Sequence, residues 1–143
     1  MAPAAFDAEA FLTTVGVGRT IAIAAPPDAV LAVVGDARRL PEWAPAFARA
    51  VRPDGEGWIV DNGDTEFPIR LRVAAELGTV DILGPAEPPR GAFARVIPSG
   101  DGSAFLFSLS FPPGTEEAAI AAQMETVEAE LRTVRDLSEA SRA

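Results

Sequence analysis

The chain has 143 residues, of which 48% are hydrophobic and 23% are charged. A chain of this size and composition is long enough to fold as one domain with a hydrophobic core, and it is not typical of a disordered or fibrous protein. Its 21 acidic and 12 basic residues give a net charge of −9, which disfavours nucleic acid and anionic lipid surfaces as partners.

Several residue types that support catalysis and metal binding are missing from the sequence. The chain contains no Cys, no His and no Tyr. It therefore lacks the commonest general base, the commonest zinc ligands and any thiolate nucleophile. We expect no disulfide, no metal site and no cofactor, and any catalysis would depend on Asp, Glu, Arg, Ser or Thr.

The first sixteen residues are interpreted as an N-terminal extension that precedes a single domain over residues 17–143. Apolar residues at helical spacing predict a short amphipathic helix within residues 3–13. Asp7 and Glu9 lie in this segment, and it lacks the basic and continuous apolar regions of a signal peptide. No stretch approaches the roughly 20 apolar residues of a membrane-spanning helix. We therefore expect a cytoplasmic location and no stable insertion into a membrane.

The domain is predicted to begin with one strand and two short helices. Residues 17–24 alternate between two faces, as a half-buried strand does. Pro26-Pro27 ends this strand and suits the first turn of an apolar helix, which continues to Gly35. A second short helix is predicted around residues 38–43, and Pro45 soon after it limits its length.

The middle of the chain has the pattern of an antiparallel meander. Short alternating runs are separated by clusters of Gly, Pro, Asn and Asp, which favour turns. Six strands are predicted, at residues 46–52, 58–62, 65–76, 79–83, 91–98 and 103–111. With the first strand they make a seven-stranded sheet, and its apolar face needs another element to cover it.

The predicted cover is a long helix over residues 115–140. Its apolar residues recur at spacings of three and four, namely Ile120, Met124, Val127, Leu131 and Val134. Thr115 is expected to cap the helix, and Glu128 is expected to pair with Arg132 on its exposed side. The sequence therefore predicts an α+β fold in which the C-terminal helix closes a curved antiparallel sheet.

The N-terminal part of the domain also resembles a known family. Residues 21–30 read IAIAAPPDAV and are followed by Val33-Val34-Gly35-Asp36 and by Leu40-Pro41-Glu42-Trp43. This series resembles the signature of the START superfamily, also called SRPBCC, which includes polyketide cyclase/dehydrase-like and lipid-transport proteins. The order of elements extends the resemblance over residues 17–140. Leu31 departs from the family, which often has Trp or Phe there.

The resemblance implies a helix-grip fold with an apolar pocket between the sheet and the C-terminal helix. Candidate ligand-binding residues on the faces expected to point inward are Trp43, Phe67, Ile69, Leu71, Phe93, Phe105, Phe107, Met124, Val127 and Leu131, together with Arg19 and Arg95. Inward apolar residues more often form core than contact a ligand. Trp43 likewise has two interpretations, because a Trp after Leu-Pro also anchors a helix onto a sheet.

Arg19 and Arg95 are the polar members of this set. Arg19 is in phase with Ile21, and Arg95 is in phase with Phe93 and Ile97, so each is expected to point inward. A buried guanidinium needs an anion, which is either a carboxylate of the chain or the acidic headgroup of a ligand. The alternative is an arginine whose stem packs against the core while its head reaches water.

The acidic residues of the meander do not form a convincing catalytic pair. Asp61 and Asp64 flank a turn, while Glu66 and Asp81 lie opposite the apolar residues of their strands. Solvated positions are therefore expected for these residues.

Three functions are compatible with the sequence. The first is a non-catalytic carrier or sensor that binds an apolar or weakly acidic small molecule. The second is an enzyme similar to polyketide cyclases, in which a polar side chain or water moves protons. The absence of His and Tyr weighs against it, and an inward carboxylate near Arg95 would favour it. The third is an interaction domain with a filled core. Because the fold hosts both enzymes and carriers, the site must decide the function.

Overall fold

The computed structural model describes residues 15–85 and 91–141, in which helices cover one face of a sheet. Its strands are β1 Val15–Ile23, β2 Ala50–Asp54, β3 Gly57–Asp61, β4 Glu66–Ala74, β5 Thr79–Leu83, β6 Gly91–Ser99 and β7 Gly102–Phe111. Its helices are α1 Pro27–Val34, α2 Leu40–Trp43 and α3 Glu117–Ala140, with a 3₁₀ turn at Ala37–Arg39 before α2. The predicted N-terminal helix lies outside the described residues.

The strands form one antiparallel sheet in the order β1-β7-β6-β5-β4-β3-β2. Consecutive strands from β2 to β7 are neighbours, so the predicted meander is confirmed. β1 pairs with the free side of β7, from Val15 opposite Phe111 to Ile23 opposite Ser103. The predicted seven-stranded α+β helix-grip fold is confirmed.

β4 changes its pairing partner along its length. Residues 66–69 pair with β3, whereas residues 70–74 pair with β5, beginning with Arg70 opposite Leu83. Within the described ranges, residues 66–69 therefore have no strand on the β5 side. This opening in the pairing lies beside the cavity described below.

The prediction for the inner face of β6 is wrong. Ala92, Ala94 and Val96 are buried, while Phe93 is 39% exposed and Arg95 lies on the same outer face. The reason lies in the neighbouring strand, since large aromatic residues of β7 stand opposite Ala94 and Val96 on the inner face. Small side chains fit beside large ones in a cross-strand pair, and a charged guanidinium on the inner face would lose its hydration.

The core lies between the inner face of the sheet and the helices. α1 begins with Pro27 in its first turn and buries Val30, Val33 and Val34. α3 buries most of the apolar residues predicted for its inner stripe, of which Val127 and Val134 are fully buried. No helix within the described ranges is long and apolar enough to cross a membrane.

Two predictions about the surface of α3 are wrong. The residue before the helix is Glu116, and it forms no side-chain cap. The Thr115 hydroxyl instead donates to the carbonyl oxygen of Pro112 at 2.6 Å, within the preceding turn. Glu128 pairs with Arg19 of β1 rather than with Arg132, because the helix packs against β1 and brings the two side chains together.

Candidate ligand-binding cavity

A cavity of about 340 Å³ lies between the inner face of the sheet and helices α2 and α3. Its described lining consists of Leu40, Trp43, Ala44, Phe47, Phe67, Pro68, Ile69, Ile82, Leu83, Gly84, Pro85, Gly91, Ala92, Phe107, Leu109, Ser110, Gln123, Val127 and Glu130. Small-molecule sites in proteins typically enclose roughly 300–1,000 Å³ and are mostly apolar. The cavity therefore has the size and the wall of a site for a small apolar molecule.

Two aromatic pairs form much of the wall. The rings of Trp43 and Phe107 meet edge to face, with centroids 6.3 Å apart and planes at 84°. The rings of Phe47 and Phe67 have centroids 5.5 Å apart. Edge-to-face contacts hold aromatic rings in defined positions. The wall is therefore preformed by ring packing.

Trp43 both anchors its helix and lines the cavity. The side chain is only 2% exposed, and its indole nitrogen is enclosed without an acceptor among the residues the structure describes. An enclosed N–H without a partner is unfavourable. Packing against Phe107 and the core therefore holds this ring in place, and no described hydrogen bond contributes.

The predicted ligand-binding residues fall into three groups. Trp43, Phe67, Ile69, Phe107 and Val127 line the cavity. Phe105, Met124 and Leu131 are buried in the adjoining core, and Leu71 is partly buried against it. Phe93, Arg95 and Arg19 lie away from the cavity lining. Their role in binding a ligand stays a prediction for all of them.

The two arginines have different environments. Arg19 donates from Nε to Oε1 of Glu128 at 3.1 Å, and the two side chains are 39% and 44% exposed. Its anion is thus a carboxylate of the chain, and such an exposed pair typically contributes about 0–1 kcal/mol. Arg95 donates from Nε to the carbonyl oxygen of Leu77 at 3.3 Å on the outer face of the sheet.

The acidic residues of the meander lie away from the cavity. Glu66 forms a two-pronged pair with Arg52, and Asp81 accepts hydrogen bonds from Arg72 at 2.8 and 2.9 Å. Asp61 accepts a hydrogen bond from a backbone N–H in the β3–β4 turn. These carboxylates support surface pairs and a turn.

Sequence reasoning missed the one ionisable residue among the described residues that line the cavity. Glu130 of α3 is 8% exposed, and no residue in the described part of the chain forms a hydrogen bond or ion pair with it. Burial raises the pKa of its carboxyl group to about 7, because the ionised form loses hydration. Near neutral pH the group exists in both forms, so it can donate or accept a hydrogen bond inside an apolar site.

The sequence does contain a signal for Glu130. The residue lies three positions after Val127 and four positions before Val134, which is the spacing of the inner stripe of a helix. An acidic residue within such a stripe is unexpected for simple core packing. A search for polar residues at the inward positions of the helix, and not only for its apolar residues, would have identified Glu130.

A second hollow adjoins the cavity where β4 changes partner. It has a volume of about 250 Å³, and it shares with the cavity the lining residues Pro68, Ile69, Leu83, Gly84 and Pro85. Its further lining includes Trp58 and Arg70. These shared residues form part of the wall of both spaces.

Comparison with known proteins agrees with the fold. A family model described as polyketide cyclase / dehydrase and lipid transport matches residues 14–139. No curated protein matches the chain. The Zhui aromatase/cyclase from Streptomyces sp. R1128 has a similar structure, with a TM-score of 0.71, 14% identity and coverage of 91% of this chain and 96% of that chain.

A START superfamily protein from Mycobacterium smegmatis is also similar. Its TM-score is 0.68 at 14% identity, and the match covers 87% of this chain and 97% of that chain. The Aha1 dimer from Colwellia psychrerythraea gives a TM-score of 0.67 at 13% identity, with coverage of 90% of this chain and 99% of that chain. At sequence identities this low, the similarity of the structures shows a shared fold.

Proposed function

Because the chain belongs to the polyketide cyclase/dehydrase and lipid transport family, we propose that it binds a small apolar molecule in the cavity, as a carrier or sensor. The observation that carries this proposal is a mostly apolar space of about 340 Å³, partly open to solvent, between the inner face of the sheet and helices α2 and α3. Protein interiors are normally close-packed, so a space of this size beside the core supports a binding site rather than the filled core of an interaction domain.

The expected affinity follows from the size of the cavity. A chain of about ten carbons would gain at most about 8 kcal/mol from leaving water. Association offsets about 4 kcal/mol or more of this gain. The net gain of at most about 4 kcal/mol corresponds to dissociation constants of about 1 mM or weaker for simple apolar ligands, and titrations should extend into this range.

The proposal is tested with N-phenylnaphthylamine, an uncharged dye that fluoresces in apolar surroundings. We expect saturable binding by the protein at one dye per chain. The Val127→Phe variant should lose this binding, because Val127 lines the cavity and the larger ring would occupy the space.

The matched control is Phe93→Ala, which removes an exposed aromatic ring from the outer face. This variant should bind the dye as the unchanged protein does. Absence of saturable binding, or equal binding by Val127→Phe, would contradict the proposal.

Glu130 supports a second candidate function, which is proton transfer to a bound substrate. A buried carboxyl group with a pKa of about 7 is suited to act as a general acid or base. In this function the Glu130 carboxylate would remove a proton from the carbon next to a ketone, leaving an enolate, and its carboxyl group would return a proton to that carbon.

This second function has a simple assay. A long-chain ketone incubated with the protein in deuterated water would exchange its α-protons faster than the ketone alone. Glu130→Gln would remove the acceleration. Exchange at the uncatalysed rate would leave binding alone as the proposed function.

A further inference from the structure

The chemistry of the cavity lining also defines the class of ligand. Building on the proposed function, we infer that Glu130 selects apolar ligands with an uncharged carbonyl or hydroxyl oxygen, and that the cavity rejects the matching carboxylates. Glu130 is the one ionisable side chain among the described lining residues. The other polar side chains of this lining are Ser110 and Gln123, which are uncharged.

The described lining of the cavity offers no counter-charge to an anion. The chain has no lysine, and the described lining contains no arginine. Arg19 of β1 is paired with Glu128, and Arg39 of the 3₁₀ turn before α2 is paired with Glu42. A carboxylate moved into this apolar space would lose hydration without gaining a cation from the described lining, which is unfavourable.

Among the described residues, the acidic group of α2 and the acidic group nearest to Glu130 along α3 are engaged in ion pairs. On α3 the nearest acidic residue along the chain, Glu128, is paired with Arg19 of β1. The carboxyl group of Glu42 on α2 is paired with Arg39 at the surface. The described lining residues from β4 to β7 are not titratable. Burial is the cause of the raised pKa of Glu130.

Hydrogen bonding then favours a neutral oxygen. The protonated carboxyl group of Glu130 donates a hydrogen bond to the oxygen of a ketone or an alcohol. The ionised carboxylate can only accept a hydrogen bond, which an alcohol hydroxyl can donate and a ketone cannot. An amine would have to give up the strong hydration of its ammonium group to pair with Glu130. A ketone and an alcohol of the same length should therefore respond differently to pH.

The experiment measures how well decanone, decanol, decanoate and decylamine displace N-phenylnaphthylamine from the full-length protein. At about pH 8, where decanoate is ionised, decanone and decanol should bind on the order of tenfold more tightly than decanoate. Between about pH 6 and pH 9 the affinity for decanone should fall several-fold, while that for decanol should change less.

Glu130→Gln serves as the matched variant, because its amide has a similar shape and keeps a hydrogen-bond donor at every pH. Its affinity for decanone should not fall between about pH 6 and pH 9. If this variant failed to fold, the larger pH response of the ketone than of the alcohol in the unchanged protein would still test the inference.

The outcomes separate this inference from the proposed function. If decanoate or decylamine bound as tightly as decanone, or if the dye bound and no neutral ligand displaced it, the selectivity would be overturned and binding would stand. If the dye and all four ligands failed to bind, both would be overturned.

Discussion

At the scale of single residues, Glu130 connects ligand chemistry to stability. Its folded-state pKa of about 7 is above the ordinary value of 4.5. The folded protein therefore keeps a proton that the unfolded chain releases as the pH rises above 4.5. The free energy of unfolding consequently decreases between these two values and levels off above about pH 7. The carboxyl group is compatible with the apolar cavity while it is protonated.

Glu130→Gln should stabilise the protein in a pH-dependent manner. Near pH 4.5 the side chain at position 130 is uncharged in the folded state of both proteins. The free energies of unfolding of the variant and the unchanged protein should therefore differ little there. At about pH 8 the variant should be more stable by up to about 3 kcal/mol. Urea unfolding at several pH values measures the difference.

Glu125→Gln is the control for this experiment, because Glu125 is exposed on the same helix. Its effect on the free energy of unfolding should stay within about 0.5 kcal/mol across the range. A difference between Glu130→Gln and the unchanged protein that did not vary with pH would show that Glu130 stays ionised or hydrated in the folded state.

Arg95→Met should leave the binding of apolar ligands unchanged. Arg95 lies on the outer face, where its described partner is the carbonyl oxygen of Leu77. The expected change in stability is within about 0.5 kcal/mol, as for most surface substitutions. Dye titration and thermal unfolding of the variant check both expectations. A large loss of affinity would show that the outer face takes part in binding.

At the scale of elements, periodicity predicted the fold better than the site. Alternation and turn residues were enough to place the strands of the meander, and helical spacing placed α3. The phase of β6 was ambiguous in the sequence, because Ala at alternate positions is compatible with either face. The aromatic residues of β7 decided it, through a contact between strands that lies outside any local pattern.

The cavity depends on the same kind of long-range information. Its described lining comes from two helices, four strands, and the segments after α2 and after β5. Local patterns predict which residues point inward, but not whether the inward side chains fill the space between elements. For this reason Val127 and Leu131 were equivalent candidates in the sequence, although only Val127 is among the lining residues.

A comparison of two substitutions on α3 tests the cavity directly. Val127 and Val134 are both fully buried on one stripe, but only Val127 is among the described lining residues. Val127→Phe should be neutral or stabilising, because the ring fills empty space and gains contacts. Val134→Phe should destabilise by about 1–3 kcal/mol, because it overpacks a filled region.

Chemical denaturation of the two variants without ligand measures the effect. Equal destabilisation by both would indicate that the space beside Val127 is filled in solution. Far-UV circular dichroism before denaturation confirms that each variant retains its secondary structure.

At the scale of the whole molecule, one helix closes the fold along the edge strand. Arg19 of β1 binds Glu128, and the backbone N–H of Ala24, just after β1, donates to Glu139 at 2.8 Å. Both contacts fasten α3 to the same side of the sheet. The helix and β1 therefore form one unit against which the remaining strands enclose the cavity.

Ligand binding should stabilise this whole unit. At a decanol concentration equal to its dissociation constant, the free energy of unfolding should increase by about 0.4 kcal/mol. For a domain of this size the melting temperature should rise by about one to two degrees. Val127→Phe should show no such rise. Differential scanning fluorimetry over a series of decanol concentrations provides the measurement.

The partner change within β4 has a consequence for the kinetics of ligand exchange. In the described part of the chain, residues 66–69 beside the cavity have no strand on the β5 side, whereas α3 is fastened to β1. A ligand that exchanges past this part of the sheet does not need α3 to detach. The dissociation rate should therefore exceed the rate at which the buried amides of α3 exchange with deuterium. Matching rates for the two processes would place the exchange route at the helix instead.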